Sequence, residues 1–119
     1  MKILVKRKKS LFDGDQEELF SSEFHIKCSN CSGLIPFYPA QLINCSQLPS
    51  SDIDEIIANV KGVKVVRLGT DIFIKVNEVP LKYTSLDCPS CGKKHLGLFG
   101  VGEYQPTRFM LIQVAIAIP

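Results

Sequence analysis

The residues best suited to chemistry in this 119-residue chain are four of its five cysteines, which form two Cys-x-x-Cys pairs. Cys28 pairs with Cys31 in the sequence, and Cys88 pairs with Cys91. This spacing lets both sulfurs of a pair reach one ion from a tight turn whose backbone amides stabilise the thiolate charge. Two such turns facing each other would make a tetrahedral four-sulfur site, so all four cysteines are predicted to bind one metal ion.

Glycine and proline beside the pairs favour tight turns. Gly92 follows Cys91 directly, and Gly33 lies two positions after Cys31. Each glycine is predicted to supply the positive φ that the turn needs. Pro89 fixes its own φ and stiffens the second turn.

The two turns resemble the metal knuckles of zinc-ribbon and rubredoxin-like proteins. The resemblance covers Cys28 to Gly33 and Cys88 to Lys93, and it implies a structural four-cysteine site with zinc as the ion. About 56 residues separate the two pairs, whereas zinc ribbons usually have ~15–20. We therefore expect a single zinc-ribbon-like domain over residues 1–119, with an α/β insertion at about 34–87.

Other roles for the four cysteines compete with zinc. Two disulfides would use the same residues, but the expected compartment is the cytoplasm, where thiols stay reduced. A redox pair needs its cysteines at a helix N-terminus, and Pro89 and Gly92 favour a turn instead. Four thiolates can also hold iron, which would make the protein a rubredoxin-like electron carrier. Iron stays open as the alternative, and zinc is preferred because the sequence shows no partner site for electron transfer.

The fifth cysteine and both histidines are assigned structural roles. Cys45 lies outside the pairs and is predicted to be a buried free thiol. His95 is close to Cys91 in the sequence, but four cysteines already complete the shell. His25 precedes Cys28 by three residues and points away from it in an alternating strand.

The elements that would position the turns are mainly strands. A helix is predicted over Ile53 to Val60, capped by Ser51 or Asp52 and ended by Gly62. Strands or extended segments are predicted at Lys2 to Val5, Phe24 to Lys27, Ile35 to Tyr38, Leu81 to Thr84 and Phe109 to Ile118, and as a hairpin of Val63 to Leu68 with Ile72 to Val76. The fold class is therefore α+β, mainly antiparallel β with one short helix, built around the four-cysteine zinc-ribbon-like site.

Two segments resemble ligand-binding motifs, but neither is predicted to bind a ligand. The acidic segment around Asp13 to Glu18 lacks the length and closing glutamate of a calcium loop, so it is predicted to be a solvated loop. The glycines of Gly97 to Gly102 precede no helix that could bind phosphate. They are predicted to let a chain pass close to the metal site or turn sharply between strands.

Composition indicates a globular protein, and the expected lack of a secretory signal and of a membrane span favours the cytoplasm. The hydrophobic fraction is 45% and the charged fraction 22%, which suits a folded domain. The formal net charge is +2, and four thiolates on one divalent ion would bring it close to zero. We expect no secretory signal, and no apolar run reaches the length of a membrane span.

The predicted function is a non-enzymatic one, because four cysteines leave no open position on the metal. Zinc would stabilise a surface that binds a protein partner or a larger complex, with Leu96 to Phe99 and Phe109 to Ile118 as apolar contact material. The alternative is a nucleic-acid-binding zinc ribbon. That alternative would use exposed aromatics such as Phe37 or Tyr38, together with the basic residues Lys6 to Lys9, Lys27, Lys61, Lys64, Lys93, Lys94 and Arg108. The segment Lys6 to Lys9 is itself predicted to be a solvated turn.

Overall fold

Antiparallel strands dominate the computed structural model, which describes residues 1–119. The ten strands are β1 Lys2–Val5, β2 Lys9–Gly14, β3 Phe24–Lys27, β4 Leu34–Phe37, β5 Ile43–Asn44, β6 Val63–Leu68, β7 Asp71–Val76, β8 Val79–Asp87, β9 Lys94–Gln105 and β10 Arg108–Ile118. The helices are α1 Gln16–Ser21 and α2 Ser50–Asn59, with single 3₁₀ turns at Pro39–Gln41 and Cys45–Gln47. The prediction of a mainly antiparallel β structure is confirmed.

Eight of the strands form one sheet with the order β1-β10-β9-β8-β7-β6. The first half of β10 also pairs with β2, and β5 adds to the outer side of β8. Strands β3 and β4 make a separate two-stranded sheet. The organisation as one domain with an insertion at about 34–87 stays a prediction, and β8 from that range pairs with β9 outside it.

Strands β9 and β10 are buried on both faces of the sheet. Neighbouring residues alternate between the two hydrophobic clusters: Phe99 and Leu111 belong to one, Leu98 and Ile112 to the other. Double burial explains the nearly continuous apolar sequence of both strands. The apolar stretches that were expected to contact a partner are therefore largely core, and that part of the prediction is wrong.

The predicted hairpin and helix are present. Strands β6 and β7 pair as the predicted hairpin, with Gly69 at φ +63° in the turn. Helix α2, however, begins at Ser50, and its N-cap is Pro49 rather than Ser51 or Asp52. The Pro49 carbonyl accepts the first backbone hydrogen bonds, and the fixed φ of proline suits a helix start. Neither helix has the length and apolar content that crossing a bilayer demands.

The acidic segment is not the predicted solvated loop. It ends strand β2 and then forms the short helix α1. The Asp15 side chain caps this helix by accepting the Glu18 backbone N–H at 2.8 Å. Leu19 from the same helix is fully buried in the core. Capping and burial of one leucine outweigh the polar composition of the segment.

The glycines of Gly97 to Gly102 lie within strand β9, which the sequence did not predict, so the predicted sharp turn or chain crossing is wrong. A Cβ at Gly97 would lie 2.6 Å from the Phe99 ring, and one at Gly100 would lie 2.7 Å from Val76. These glycines leave room for large core side chains.

Candidate metal centre

Each cysteine pair occupies a six-residue turn between two antiparallel strands. The first turn, Cys28 to Gly33, connects β3 to β4, and the second, Cys88 to Lys93, connects β8 to β9. The four Sγ atoms all lie within 4.8 Å of one another. The Cys28–Cys91 separation is 3.6 Å and the Cys31–Cys88 separation is 3.5 Å, with every cysteine in the free form. The structure therefore brings the four predicted residues together.

Equivalent backbone hydrogen bonds close the two turns. The Cys28 N–H donates to the Gly33 carbonyl at 2.8 Å, and the Cys88 N–H donates to the Lys93 carbonyl at 3.0 Å. Each bond joins the first and last residues of a turn. The flanking strands thus hold both pairs in matching geometry, one from each sheet.

Positive φ occurs directly after the second cysteine in both turns. Gly92 has φ +77°, as predicted, but its counterpart is Ser32 at +63°, and the expectation for Gly33 is wrong. In each turn this residue donates its N–H back to the carbonyl of the first cysteine, so position and not residue type imposes the conformation. Gly33 serves another purpose, because a Cβ there would lie 3.3 Å from both Cys31 Sγ and Ser90 Oγ.

Gly92→Ala is expected to lower the free energy of unfolding by about 1–2 kcal/mol, the cost of left-handed backbone for a residue with a Cβ. No atom lies within 4 Å of that Cβ, so the cost is conformational only. Ser32→Ala is the matched control and should be nearly neutral, because Ser32 already carries a Cβ. Urea unfolding of the metal-loaded variants checks this, and equal effects at the two positions would contradict it.

Two of the thiols have a lowered pKa. The Lys93 backbone N–H, followed by the Asn30 side chain, lowers the pKa of Cys91 to about 6. The pKa of Cys88 is lowered chiefly by the Cys91 backbone N–H, with a further contribution from the Ser90 backbone N–H. Backbone donors thus favour the thiolate form, which is the form that binds metal.

Cys31 shows the opposite tendency. The Gly33 backbone N–H lowers its pKa, but the sulfurs of Cys88 and Cys91 together with burial outweigh this and raise the pKa to about 12. Crowded thiolates repel one another, so the last thiol holds its proton. A cation at the centre of the cluster would remove this penalty, and the donor set therefore fits a metal ion.

His95 links the two turns and is not among the clustered ligand atoms. Its side chain is fully buried. Nε2 accepts the Ser29 backbone N–H at 3.1 Å and lies 2.9 Å from Ser29 Oγ, while Nδ1 lies 3.0 Å from the Lys93 carbonyl. Because Nε2 accepts, Nδ1 carries the hydrogen and donates it to Lys93. The predicted structural role is confirmed, but the bond to Ser29 joins distant segments and could not be predicted from local sequence.

The remaining predicted structural residues lie apart from the cluster. Cys45 is fully buried, and burial raises the pKa of its thiol to about 12, so the prediction of a buried free thiol is confirmed. His25 is half-exposed and lies 3.0 Å from a carboxylate oxygen of Glu23. Neither residue belongs to the group of clustered ligand atoms.

Two of the cations predicted to contact nucleic acid have neighbouring carboxylates. Lys94 and Arg108 each lie beside an aspartate, at 3.5 Å and 2.7 Å. Phe37 is buried, and the Tyr38 hydroxyl donates to Glu23 at 3.0 Å. The prediction of exposed aromatics is therefore wrong for Phe37, whereas Tyr38 is 45% exposed.

The site is a group of four sulfur donors that could hold a metal ion. Thiolates are soft ligands, and a compact group of four suits zinc or iron rather than calcium or magnesium. No protein-family model, no curated protein and no solved structure matches the chain.

Proposed function

We propose that Cys28, Cys31, Cys88 and Cys91 bind one structural zinc ion in a non-enzymatic binding protein. The observation that carries this proposal is the approach of all four Sγ atoms to within 4.8 Å, from two turns with matching hydrogen bonds. Tetrahedral zinc with Zn–S near 2.3 Å needs sulfurs about 3.8 Å apart. The Cys31–Cys88 and Cys28–Cys91 separations, 3.5 and 3.6 Å, are close to that value.

The proposed zinc ion joins two sheets that share no strand pairing. The first turn belongs to the β3–β4 sheet and the second to the eight-stranded sheet. Four protein ligands leave no position for water or substrate, which supports a structural role over a catalytic one. The resemblance of both turns to zinc-ribbon knuckles agrees with this role.

Native mass spectrometry of gently purified protein tests the metal assignment. We expect one zinc per chain and a colourless protein. Iron in the same site would give a red ferric protein and would support the electron-carrier alternative. Two disulfides in place of metal would contradict both.

A protein partner is proposed to bind the outward face of the β6–β7 hairpin. Val66 and Phe73 face each other across the hairpin and are 38% and 45% exposed, and Leu68 nearby is 62% exposed. The cross-strand pair of Lys64 and Lys75 borders this apolar surface. Apolar side chains next to lysines suit a protein segment with both apolar and acidic residues.

Leu68→Ser is expected to abolish co-purification of this partner from the native host, because leucine contributes apolar contact area. Leu34→Ser is the matched control, since Leu34 in β4 is 61% exposed but lies next to the first metal-binding turn. Quantitative mass spectrometry of the captured proteins checks the difference. Continued co-purification of the partner with the Leu68→Ser variant, or an equal loss with Leu34→Ser, would rule out the hairpin face as its binding surface.

A further inference from the structure

A groove lined by basic side chains runs across the surface where the β1–β2 connection meets the end of α2 and the β6–β8 strands. Its cations are the run Lys6 to Lys9, Lys61, Lys64 and Lys75. We call this surface the basic groove. It lies outside the metal centre and uses cations from three separate segments, so it arises from the tertiary fold.

Lys8 makes the groove continuous. Its Nζ donates to the Asn77 side-chain oxygen at 3.2 Å, at the β7–β8 turn. A Cβ at Gly62 would lie 2.9 Å from the same Nζ, so Lys8 passes closely over the chain between α2 and β6. These contacts hold the basic run against Lys61 and Lys64. The segment is therefore anchored on the surface and is not a free arm.

The groove concentrates positive charge in a nearly neutral protein. Seven of the 14 Lys and Arg residues line it, but Glu78 is the one acidic residue among the lining, out of 12 in the chain. Glu78 lies 3.7 Å from Lys64, and both side chains are largely exposed, so this pair is weak. Glu55 is nearby and is hydrogen-bonded to Asn59 at the rim.

The other groove cations form no ion pair within the protein. This separates them from Lys94 and Arg108, whose charges are matched by neighbouring aspartates. Unmatched cations that converge on one groove create a local positive potential. Such a surface attracts polyanions and gains binding free energy by releasing their counterions.

We propose that the basic groove binds the phosphate backbone of duplex nucleic acid without reading base sequence. No aromatic side chain lines the groove, and single-stranded nucleic acids are held largely by stacking on aromatics. Lysine contacts to phosphate give affinity but carry no sequence information. This inference does not rest on the proposed zinc function, and the groove shares Lys64 and Lys75 with the border of the hairpin face.

The test is salt-dependent binding of a short random-sequence DNA duplex to the metal-loaded protein. With roughly five to seven phosphate contacts, the plot of log affinity against log salt should have a slope of about −4.5 to −6.3. The combined variant Lys6→Gln, Lys61→Gln leaves Lys8 and its structural contacts in place. It should make the slope less negative by about 1.8 and weaken binding roughly 10- to 60-fold at 0.1 M salt.

The combined variant Lys27→Gln, Lys94→Gln is the charge-matched control, because both residues flank the metal-binding turns. It should leave the slope within experimental error of the parent protein. Failure to bind duplex at low salt, an equal loss in the control, tighter binding of single strands, or tighter binding of polyglutamate would each overturn the proposal. Zinc content measured for every variant keeps this outcome separate from failure of the metal assignment.

Discussion

Cys88→Ser is expected to lower the melting temperature sharply and to loosen both metal-binding turns before the rest of the protein. Without the metal, less of the entropic cost of joining two turns that are far apart in sequence is offset. Structural zinc contributes on the order of 10 kcal/mol in small peptides. The hydrophobic core remains here, so we expect a loss of roughly 4–10 kcal/mol in the free energy of unfolding.

Cys45→Ser is the matched control because it makes the same change at a buried cysteine outside the cluster. Burying a hydroxyl there should cost about 1–3 kcal/mol and leave the metal content unchanged. Thermal melts with and without chelator, combined with hydrogen exchange, separate the two variants. Exchange should rise first at Cys28 to Gly33 and Cys88 to Gly92. An unchanged melt after complete metal removal would mean that the metal is not structural.

Phe99→Ala is expected to lower the free energy of unfolding by about 3–5 kcal/mol, the usual cost of removing a buried aromatic ring. Phe99 is fully buried in β9, and its ring centroid lies 4.5 Å from that of Phe37 in β4. This contact packs the small sheet onto the large one. The variant should therefore also release zinc to a chelator faster than the parent protein.

Phe73→Ala provides the comparison, since Phe73 is 45% exposed. Phe73→Ala should lower the free energy of unfolding by at most about 1 kcal/mol, because the Phe73 side chain buries only part of its surface. Urea unfolding and the rate of zinc transfer to a coloured chelator measure both consequences. Equal stability losses for Phe99→Ala and Phe73→Ala would contradict the packing described for the two sheets.

Features set by neighbouring residues were predictable from the sequence. The spacing of each cysteine pair defines a local turn, and the β6–β7 hairpin follows from β-branched runs around Gly69. The clustering of the two distant pairs was also predictable, because four reactive side chains in matching turns have few other stable arrangements. The expectation that the two pairs bind one metal ion thus supplied long-range information that strand patterns alone do not contain.

Features that depend on tertiary contacts were not predictable in the same way. Strand β9 carries glycines that suggest a turn, yet Gly97 is needed beside the Phe99 ring. Helix α1 looks like a loop until Leu19 is placed in the core. Ser32 takes the conformation expected of a glycine because the turn closes at that position. The basic groove depends on Lys8 crossing to Asn77, 69 residues away.

X-ray absorption at the zinc edge of gently purified protein tests the central claim most directly. A structural four-cysteine site predicts one zinc per chain, surrounded by four sulfurs at about 2.3 Å and no nitrogen or oxygen ligand. Cys88→Ser should lose the metal or replace one sulfur by oxygen, while Cys45→Ser should leave the spectrum unchanged. A protein without zinc, or a zinc shell containing a histidine nitrogen or water, would contradict the assignment of Cys28, Cys31, Cys88 and Cys91.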